Sequence, residues 1–175
     1  STSVINVDID IPSRDIMTLA VMLFDDKLIQ DNAVKGVFIK TISNPDAGEM
    51  LAMIMTNELL PWNTYKILTR SEVKDKIRVG GVKEEDLVKR RDYTALGKIL
   101  KADAVVIGKI HSFDLSRMTV YERGDVSFTA ECLDTKNGKI LWSVEANESA
   151  SYKDEIELAS KVVKETIEKL KKEME

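Results

Sequence analysis

The pattern of apolar and polar positions changes period along the chain, and each change marks a predicted element. From Ile5 to Ile11 apolar residues alternate with polar ones, which predicts a half-buried strand that Pro12 ends. We expect residues 1–15 to form an arm that docks on this domain or on a neighbouring one, or else a mobile tail. A nearly continuous apolar run over residues 16–24 then predicts a strand buried on both faces.

The middle of the chain has a helical pattern. Asn44 and Pro45 predict a helix start, as N-cap and first helical residue, and the helix continues to Pro61. Further on we expect a short strand over residues 65–69. Three helical stretches should follow it, over residues 70–78, over residues 84–90 and from Asp92 onward. A buried strand over residues 104–110 closes this part.

In the last third of the chain, apolar residues first recur at every second position and then with the 3.6-residue period of a helix. Three antiparallel strands are predicted, with Asn137-Gly138 as a hairpin turn, over residues 118–121, 126–133 and 139–146. A final helix capped by Ser151 runs to Met174 and carries an apolar stripe of Ile156, Ala159, Val163, Ile167, Leu170 and Met174. The order of elements predicts one α/β domain over residues 16–175, a sandwich with a mixed β-sheet flanked by helices and a C-terminal amphipathic helix.

Composition excludes several classes of protein. The 175 residues are 43% hydrophobic and 32% charged, which suits one globular domain and not a disordered chain. A net charge of −4 is unfavourable for wrapping nucleic acid. The single cysteine, Cys132, excludes an intramolecular disulfide and a zinc site built on several cysteines. No apolar run reaches the roughly 18 residues of a membrane-spanning helix.

Candidate catalytic chemistry is sparse. The chain has neither a Gly-rich phosphate loop nor a nucleophile elbow, so no cofactor is predicted. The single histidine, His111, follows a buried strand and has Ser112 and Asp114 beside it. Because neighbours on a strand point to opposite faces, we expect a structural histidine and no catalytic triad. Asp25 and Asp26 lack the spacing of a calcium loop, so no metal site is predicted.

Two places are candidates for contact with a partner. The connection over residues 25–44 contains an apolar stretch, Val37, Phe38 and Ile39, with no evident helix or hairpin to bury it. The alternative is a short extra strand at the sheet edge. Trp62 follows the proline that ends a helix, and it either anchors a partner or packs in the core. The basic residues Lys89, Arg90 and Arg91, with Lys83, Lys98 and Lys101, either meet an acidic partner or form a solvated helix face.

Several stretches resemble a known family when taken together. They are the junction Arg70-Ser71-Glu72, the segment from Ala95 to Gly108, and the segment from Asp134 to Trp142. This combination is similar to the CsgG/LpoB-like group of bacterial envelope lipoproteins, whose fold is related to the N-terminal domain of TolB. The resemblance covers roughly residues 16–170, but the long amphipathic hairpins of the curli-secretion members are missing, so a secretion channel is not expected.

The resemblance implies a non-enzymatic periplasmic domain, usually anchored to the outer membrane by a lipid, here attached before residue 1. It implies a partner such as a cell-wall synthase or an export or assembly machine. Two alternatives stay open. One is a homo-oligomer that assembles through its sheet edges and the N-terminal arm, and the other is an enzyme with an unrecognised site near His111.

Overall fold

The structure, a computed structural model, describes residues 2–9, 17–33, 46–117, 122–151 and 155–175. Within them the chain forms a single α/β domain with one mixed sheet, as predicted. The strands are β1 (Thr2–Ile9), β2 (Met17–Val21), β3 (Tyr65–Ile67), β4 (Ala104–Arg117), β5 (Glu122–Asp134) and β6 (Ile140–Ser151). The helices are α1 (Lys27–Ala33), α2 (Ala47–Leu59), α3 (Arg70–Val79), α4 (Glu84–Lys89), α5 (Tyr93–Leu100) and α6 (Glu155–Met174).

The sheet has two halves with different strand directions. Its order is β1-β6-β5-β4-β2-β3. Among β1, β6, β5 and β4 each strand is antiparallel to its neighbour, whereas β2 runs parallel to both β3 and β4. β1, the predicted arm, pairs with β6 of the same chain, from Thr2 opposite Ser149 to Ile9 opposite Trp142. Residues 2–9 therefore extend the antiparallel half and form one edge of the sheet.

The helices cover the two faces of the sheet unequally. α2 and α6 pack on one face, where Trp142, Phe128 and Phe113 are among the largest fully buried side chains. On the second face α3, α4 and α5 enclose a smaller core around Val105, Ile107 and residues of β2. This second group of helices lies over β2 and β4 and leaves the antiparallel half uncovered.

Two glycines allow close packing between elements. A Cβ on Gly108, in β4, would lie 2.4 Å from the ring of Phe24, so only glycine leaves room for that ring. A Cβ on Gly97 would lie 2.5 Å from the Cβ of Thr135, in the β5–β6 turn, which brings α5 close to that turn. The hydroxyl of Thr135 donates to the carbonyls of Ala102 and Asp103 at 2.8 and 3.0 Å and fixes the contact.

Some predicted boundaries are wrong. The first core strand is β2 and ends at Val21, because the backbone of Phe24 turns away to bond the carbonyl of Gly48. α2 begins at Ala47, so Pro45 is not its first residue, and the N-cap is Asp46, which makes no side-chain capping bond. The connection after β2 contains α1, a short element of the kind that long connections often hide.

The second half of the chain has longer strands than predicted. β4 continues to Arg117 instead of ending at residue 110, and the separate strand predicted over residues 118–121 lies outside the described residues. Ser151 is the last residue of β6 and not a helix cap. Ile156 is 60% exposed, so it does not belong to the buried stripe of α6, whose buried side begins at Leu158.

Candidate interaction surface

The uncovered half of the second sheet face is a broad polar surface, which we call the open face. It is formed by the outward-facing side chains of β1, β6 and β5 and of β4 beyond Gly108. Most of them are charged, hydroxyl or amide groups: Asn6, Asp8, Lys109, His111, Ser112, Asp125, Ser127, Thr129, Glu131, Ser143, Glu145, Asn147 and Ser149. This set has four carboxylates and one lysine, and Arg123 follows the same alternation in β5, so the described side chains of the open face carry two more negative than positive charges.

The alternation along each strand explains why this face is polar. In β6, Trp142, Val144 and Ala146 point toward α6 and are buried, while Ser143 and Glu145 point away. β5 follows the same rule. An antiparallel sheet with one packed face and one solvated face shows this pattern. The large apolar exception among the described residues is Val4, which is 57% exposed on β1.

A β-bulge changes the surroundings of His111. Ile110 pairs with Phe128 and Ser112 with Ser127, so His111 is the additional residue in β4. The expectation that His111 and Ser112 point to opposite faces is therefore wrong, and both lie on the open face. They bond different groups, however. His111 Nε2 lies 3.0 Å from Thr129 Oγ1, and Ser112 Oγ donates to Asp125 Oδ2 at 3.4 Å.

The open face is slightly concave where it meets α4. A shallow cleft of about 360 Å³ is lined by residues of β1, β5 and β6, including Asp8, Glu131, Ser143 and Glu145. At its border the guanidinium of Arg91 bonds Glu131, with Nη2 3.1 Å from Oε2. A second cleft of about 220 Å³ continues from Glu131 toward Asp25 along α4. The first cleft suits a partner that presents basic or hydrogen-bonding side chains, whereas Lys89, Arg91 and Lys109 line the second.

At the end of β2 a buried arginine joins three helices. Arg70 is 5% exposed and contacts Glu49 of α2, with Nη2–Oε2 at 2.6 Å, and Glu84 of α4, with Nη1–Oε2 at 2.9 Å. Its Nη1 also donates to the carbonyl of Val21 at 3.0 Å, and Glu84 accepts the backbone N–H of Leu23 at 2.7 Å. In the sequence, Arg70 stands out only as part of the junction Arg70-Ser71-Glu72. Its partners are 21 and 14 positions away, beyond the reach of local patterns.

The charges of this cluster stabilise one another. Burial alone would raise the pKa of Glu49, but the hydrogen bonds from Arg70 and Lys74 outweigh it and hold that pKa below its usual value. Burial would likewise lower the pKa of Arg70, and the bonds to Glu84 and Glu49 raise it instead. The arrangement satisfies its own members, which identifies it as a structural clamp.

The structure places the other predicted residues separately. Val37, Phe38 and Ile39 lie outside the described residues. Trp62 is partly buried, with its ring centroid 5.3 Å from that of Tyr65 in an edge-to-face contact and 5.8 Å from Lys171 Nζ. Tyr65 in turn accepts a 2.9 Å bond from the Trp142 indole. Trp62 thus covers the core beneath α6, and its role as a partner anchor stays a prediction.

The remaining candidates show no reactive arrangement. Cys132 is buried, and burial together with the charge of Asp134 raises the pKa of its thiol. Asp25 accepts from the backbone of Lys27 at 3.0 Å in a local turn. In the part of the chain that the structure describes, no cluster of three or more histidine, cysteine or acidic residues is placed to bind a metal ion. The described helices include none that is both long and apolar enough to cross a membrane.

A family model described as "Putative lipoprotein GNA1162-like" matches residues 40–175. Among curated proteins no sequence matches the chain. Solved structures do match. PelC from Paraburkholderia phytofirmans, a dodecamer in its crystals, is 14% identical, and the alignment covers 95% of each chain with a TM-score of 0.62. Lipoprotein GNA1162 from Neisseria meningitidis is 17% identical over 89% of this chain and 98% of its own, with a TM-score of 0.60.

A third likeness concerns the predicted resemblance directly. The C-terminal domain of LpoB from Salmonella enterica is 13% identical over 82% of this chain and 88% of its own, with a TM-score of 0.45. That score is too low to bear on function. At these identities the PelC and GNA1162 structures show a shared fold, and the family model supports the lipoprotein part of the resemblance. The likeness to CsgG stays a prediction.

Proposed function

The chain belongs to the GNA1162-like family of lipoproteins, and from that premise we propose that it is a non-enzymatic cell-envelope domain that binds a partner envelope protein through the open face. The single observation that carries this proposal is the exposure of half a sheet face that α3, α4 and α5 leave uncovered. The backbone of these strands is fixed by their pairing, so binding would order little of the main chain.

The charge of the open face indicates the chemistry of the partner. Asp8, Asp125, Glu131 and Glu145 are spread over three neighbouring strands, with Lys109 at their border. A partner surface with lysine or arginine side chains would be attracted and oriented by this field. We assign the domain to the periplasm, with membrane attachment through a lipid. A cell-wall synthase or an export or assembly machine is the kind of partner that the resemblance implies.

Site-specific photocrosslinking in the producing bacterium tests the open face. A benzoylphenylalanine at position 145, in place of Glu145, should give one discrete adduct with a second protein. The same residue at position 164, in place of exposed Lys164 on α6, is the matched control and should give none. If the position-145 variant folds and reaches the envelope but forms no adduct, the open face is not the binding surface.

A second candidate function is self-assembly. β1 is an eight-residue strand at the edge of the sheet, and the described residues include none that pair with its outer side. Such an edge can accept a strand of another molecule. The PelC relative forms a dodecamer, which favours testing this chain for the same behaviour.

Two measurements separate the candidates. Under self-assembly, light scattering should report several copies of the 175-residue chain in one particle, and Val4→Lys should reduce the mass. Under partner binding, the chain should be a monomer and the adduct at position 145 should contain a different protein. The enzyme alternative predicts that the purified chain turns over a substrate and that His111→Ala abolishes this turnover without loss of fold, whereas neither other candidate predicts turnover.

A further inference from the structure

The turn between α3 and α4 carries exposed valines, and we call residues 79–82 the valine tip. Val79 ends α3 and is 80% exposed, and Val82 is 38% exposed. Between them Gly81 has a φ of +69°, and a Cβ built on it meets nothing within 4 Å. The tip therefore projects into open space. Val79 therefore contributes little to the core, and turns usually carry polar residues instead.

Basic side chains surround the valine tip. The C-terminal ends of α3 and α5 lie together, because Lys76 Nζ donates to the carbonyl of Leu100 at 3.0 Å and Gly80 packs against Ile99. In the fully described segments 75–86 and 98–101, the basic residues are Lys76, Arg78, Lys83, Lys98 and Lys101, and the acidic ones are Asp75, Glu84, Glu85 and Asp86. Asp75 pairs with Arg78 at 3.4 Å and Glu84 with Arg70 at 2.9 Å, which leaves four lysines against two carboxylates. A chain with a net charge of −4 thus has a locally positive end around two exposed valines.

Helix stability explains only part of this arrangement. Lys76, Arg78 and Lys98 lie in the last turns of α3 and α5, where a positive charge interacts favourably with the helix dipole. Lys83 lies before α4, where the dipole favours the opposite sign, and Val79 gains nothing from the dipole. The combination of exposed valines and surplus positive charge therefore needs a second explanation.

We propose that the valine tip docks on an anionic lipid bilayer surface. The lysines and the arginine around the tip would contact phosphate groups, while Val79 and Val82 enter the boundary between headgroups and acyl chains. Long basic side chains suit this interface because their stems lie along apolar groups while their charges reach the phosphates. A basic patch is one of the signals that strengthen membrane attachment through a lipid. The proposal rests on membership of a lipoprotein family and not on partner binding through the open face.

A membrane fits the tip better than a protein partner does. Protein interfaces are depleted in lysine, and their strongest contacts are aromatic or arginine side chains that fill pockets. The valine tip is convex and aliphatic, and most of the basic residues around it are lysines. A fluid, negatively charged surface accepts such a projection without a complementary pocket.

Vesicle partitioning of the 175-residue chain tests the proposal. The probes are vesicles of phosphatidylcholine alone and vesicles with about one-third phosphatidylglycerol, a fraction chosen to give a clearly negative surface. We expect binding to the anionic vesicles only, and a loss of binding as salt is added. Lys98→Glu with Lys101→Glu should weaken binding at least about 25-fold, at about fivefold for each lysine. Val79→Asp should weaken it at least about fivefold.

Matched variants on α6 supply the controls. Lys164→Glu changes the charge of an exposed lysine, and Ile156→Asp changes an apolar side chain that is 60% exposed. Both should bind as the unaltered chain does, and circular dichroism should show all variants folded. Absence of binding to anionic vesicles overturns the proposal, and so does equal weakening by the tip and α6 variants. Tip variants that lose a protein adduct in cells while vesicle binding stays unchanged would assign the tip to a protein partner.

Discussion

Removal of the Arg70 side chain should destabilise the domain strongly. In the variant Arg70→Ala, Glu49 and Glu84 lose the group that neutralises them, although they remain only 23% and 11% exposed. Breaking a buried ion pair by removing one partner costs about 3–5 kcal/mol. Glu84 keeps the N–H of Leu23, and Glu49 keeps the ammonium of Lys74 at 3.0 Å, so we expect the lower end, about 3 kcal/mol.

The pH dependence of that loss has a defined sign. In the folded chain the pKa of Glu49 is held below its unfolded value of about 4.5. The carboxylate therefore stabilises the fold fully above pH 4.5, and this stabilisation is lost as the pH falls through the lower pKa of the folded chain. Without Arg70 the principal bonds that lower this pKa are gone, and burial then disfavours the carboxylate at neutral pH. The difference in unfolding free energy between the two proteins should therefore shrink as the pH falls from 7 toward 4.5.

Urea unfolding at several pH values measures both the loss of stability in Arg70→Ala and its pH dependence. Lys74→Met is the matched control, because Lys74 is 56% exposed and also bonds Glu49, and it should cost only about 0–1 kcal/mol. Arg70→Met combined with Glu49→Gln and Glu84→Gln removes the charges together and should recover part of the loss. A cost below about 1 kcal/mol for Arg70→Ala, or a cost that grows toward acid pH, would refute the interpretation of the cluster as a structural clamp.

Three further changes probe the packing. Gly108→Ala should lower stability by about 1–3 kcal/mol in thermal unfolding, because its Cβ would lie 2.4 Å from the Phe24 ring, and an unchanged melting temperature would contradict that contact. Asp92→Ala should cost about 1 kcal/mol in urea, since its side chain accepts the N–H of Ala95 at 3.2 Å, and Asp92→Asn should cost much less. Trp62→Ala should cost about 2 kcal/mol and Trp62→Phe clearly less, whereas a fully stable alanine variant would make Trp62 available as a partner anchor.

Local signals predicted the elements that depend on a few neighbouring residues. Asp92 caps α5, and Gly138 has a φ of +71° in the β5–β6 turn, as the sequence indicated. The bulge at His111 was not predictable. One additional residue between Ile110 and Phe113 breaks the alternation of apolar positions, and no turn signal marks it. The Arg70 clamp was equally hidden, since its three charged members come from three helices that meet only in the folded chain.

The open face follows from how the strands are connected. Parallel strands need crossover connections, and the segment between β3 and β4 supplies α3, α4 and α5 over the parallel half of the sheet. β4, β5 and β6 are antiparallel neighbours in sequence, the described residues between them include no helix, and α6 covers only the first face. The alternation in β5 and β6 predicted a polar side. It did not show that this side would be joined by β1 and bordered by α4 to form one continuous acidic surface. A partner that binds there would contact strands that the core on the other side of the sheet holds in place. Loss of the partner should therefore leave the fold intact.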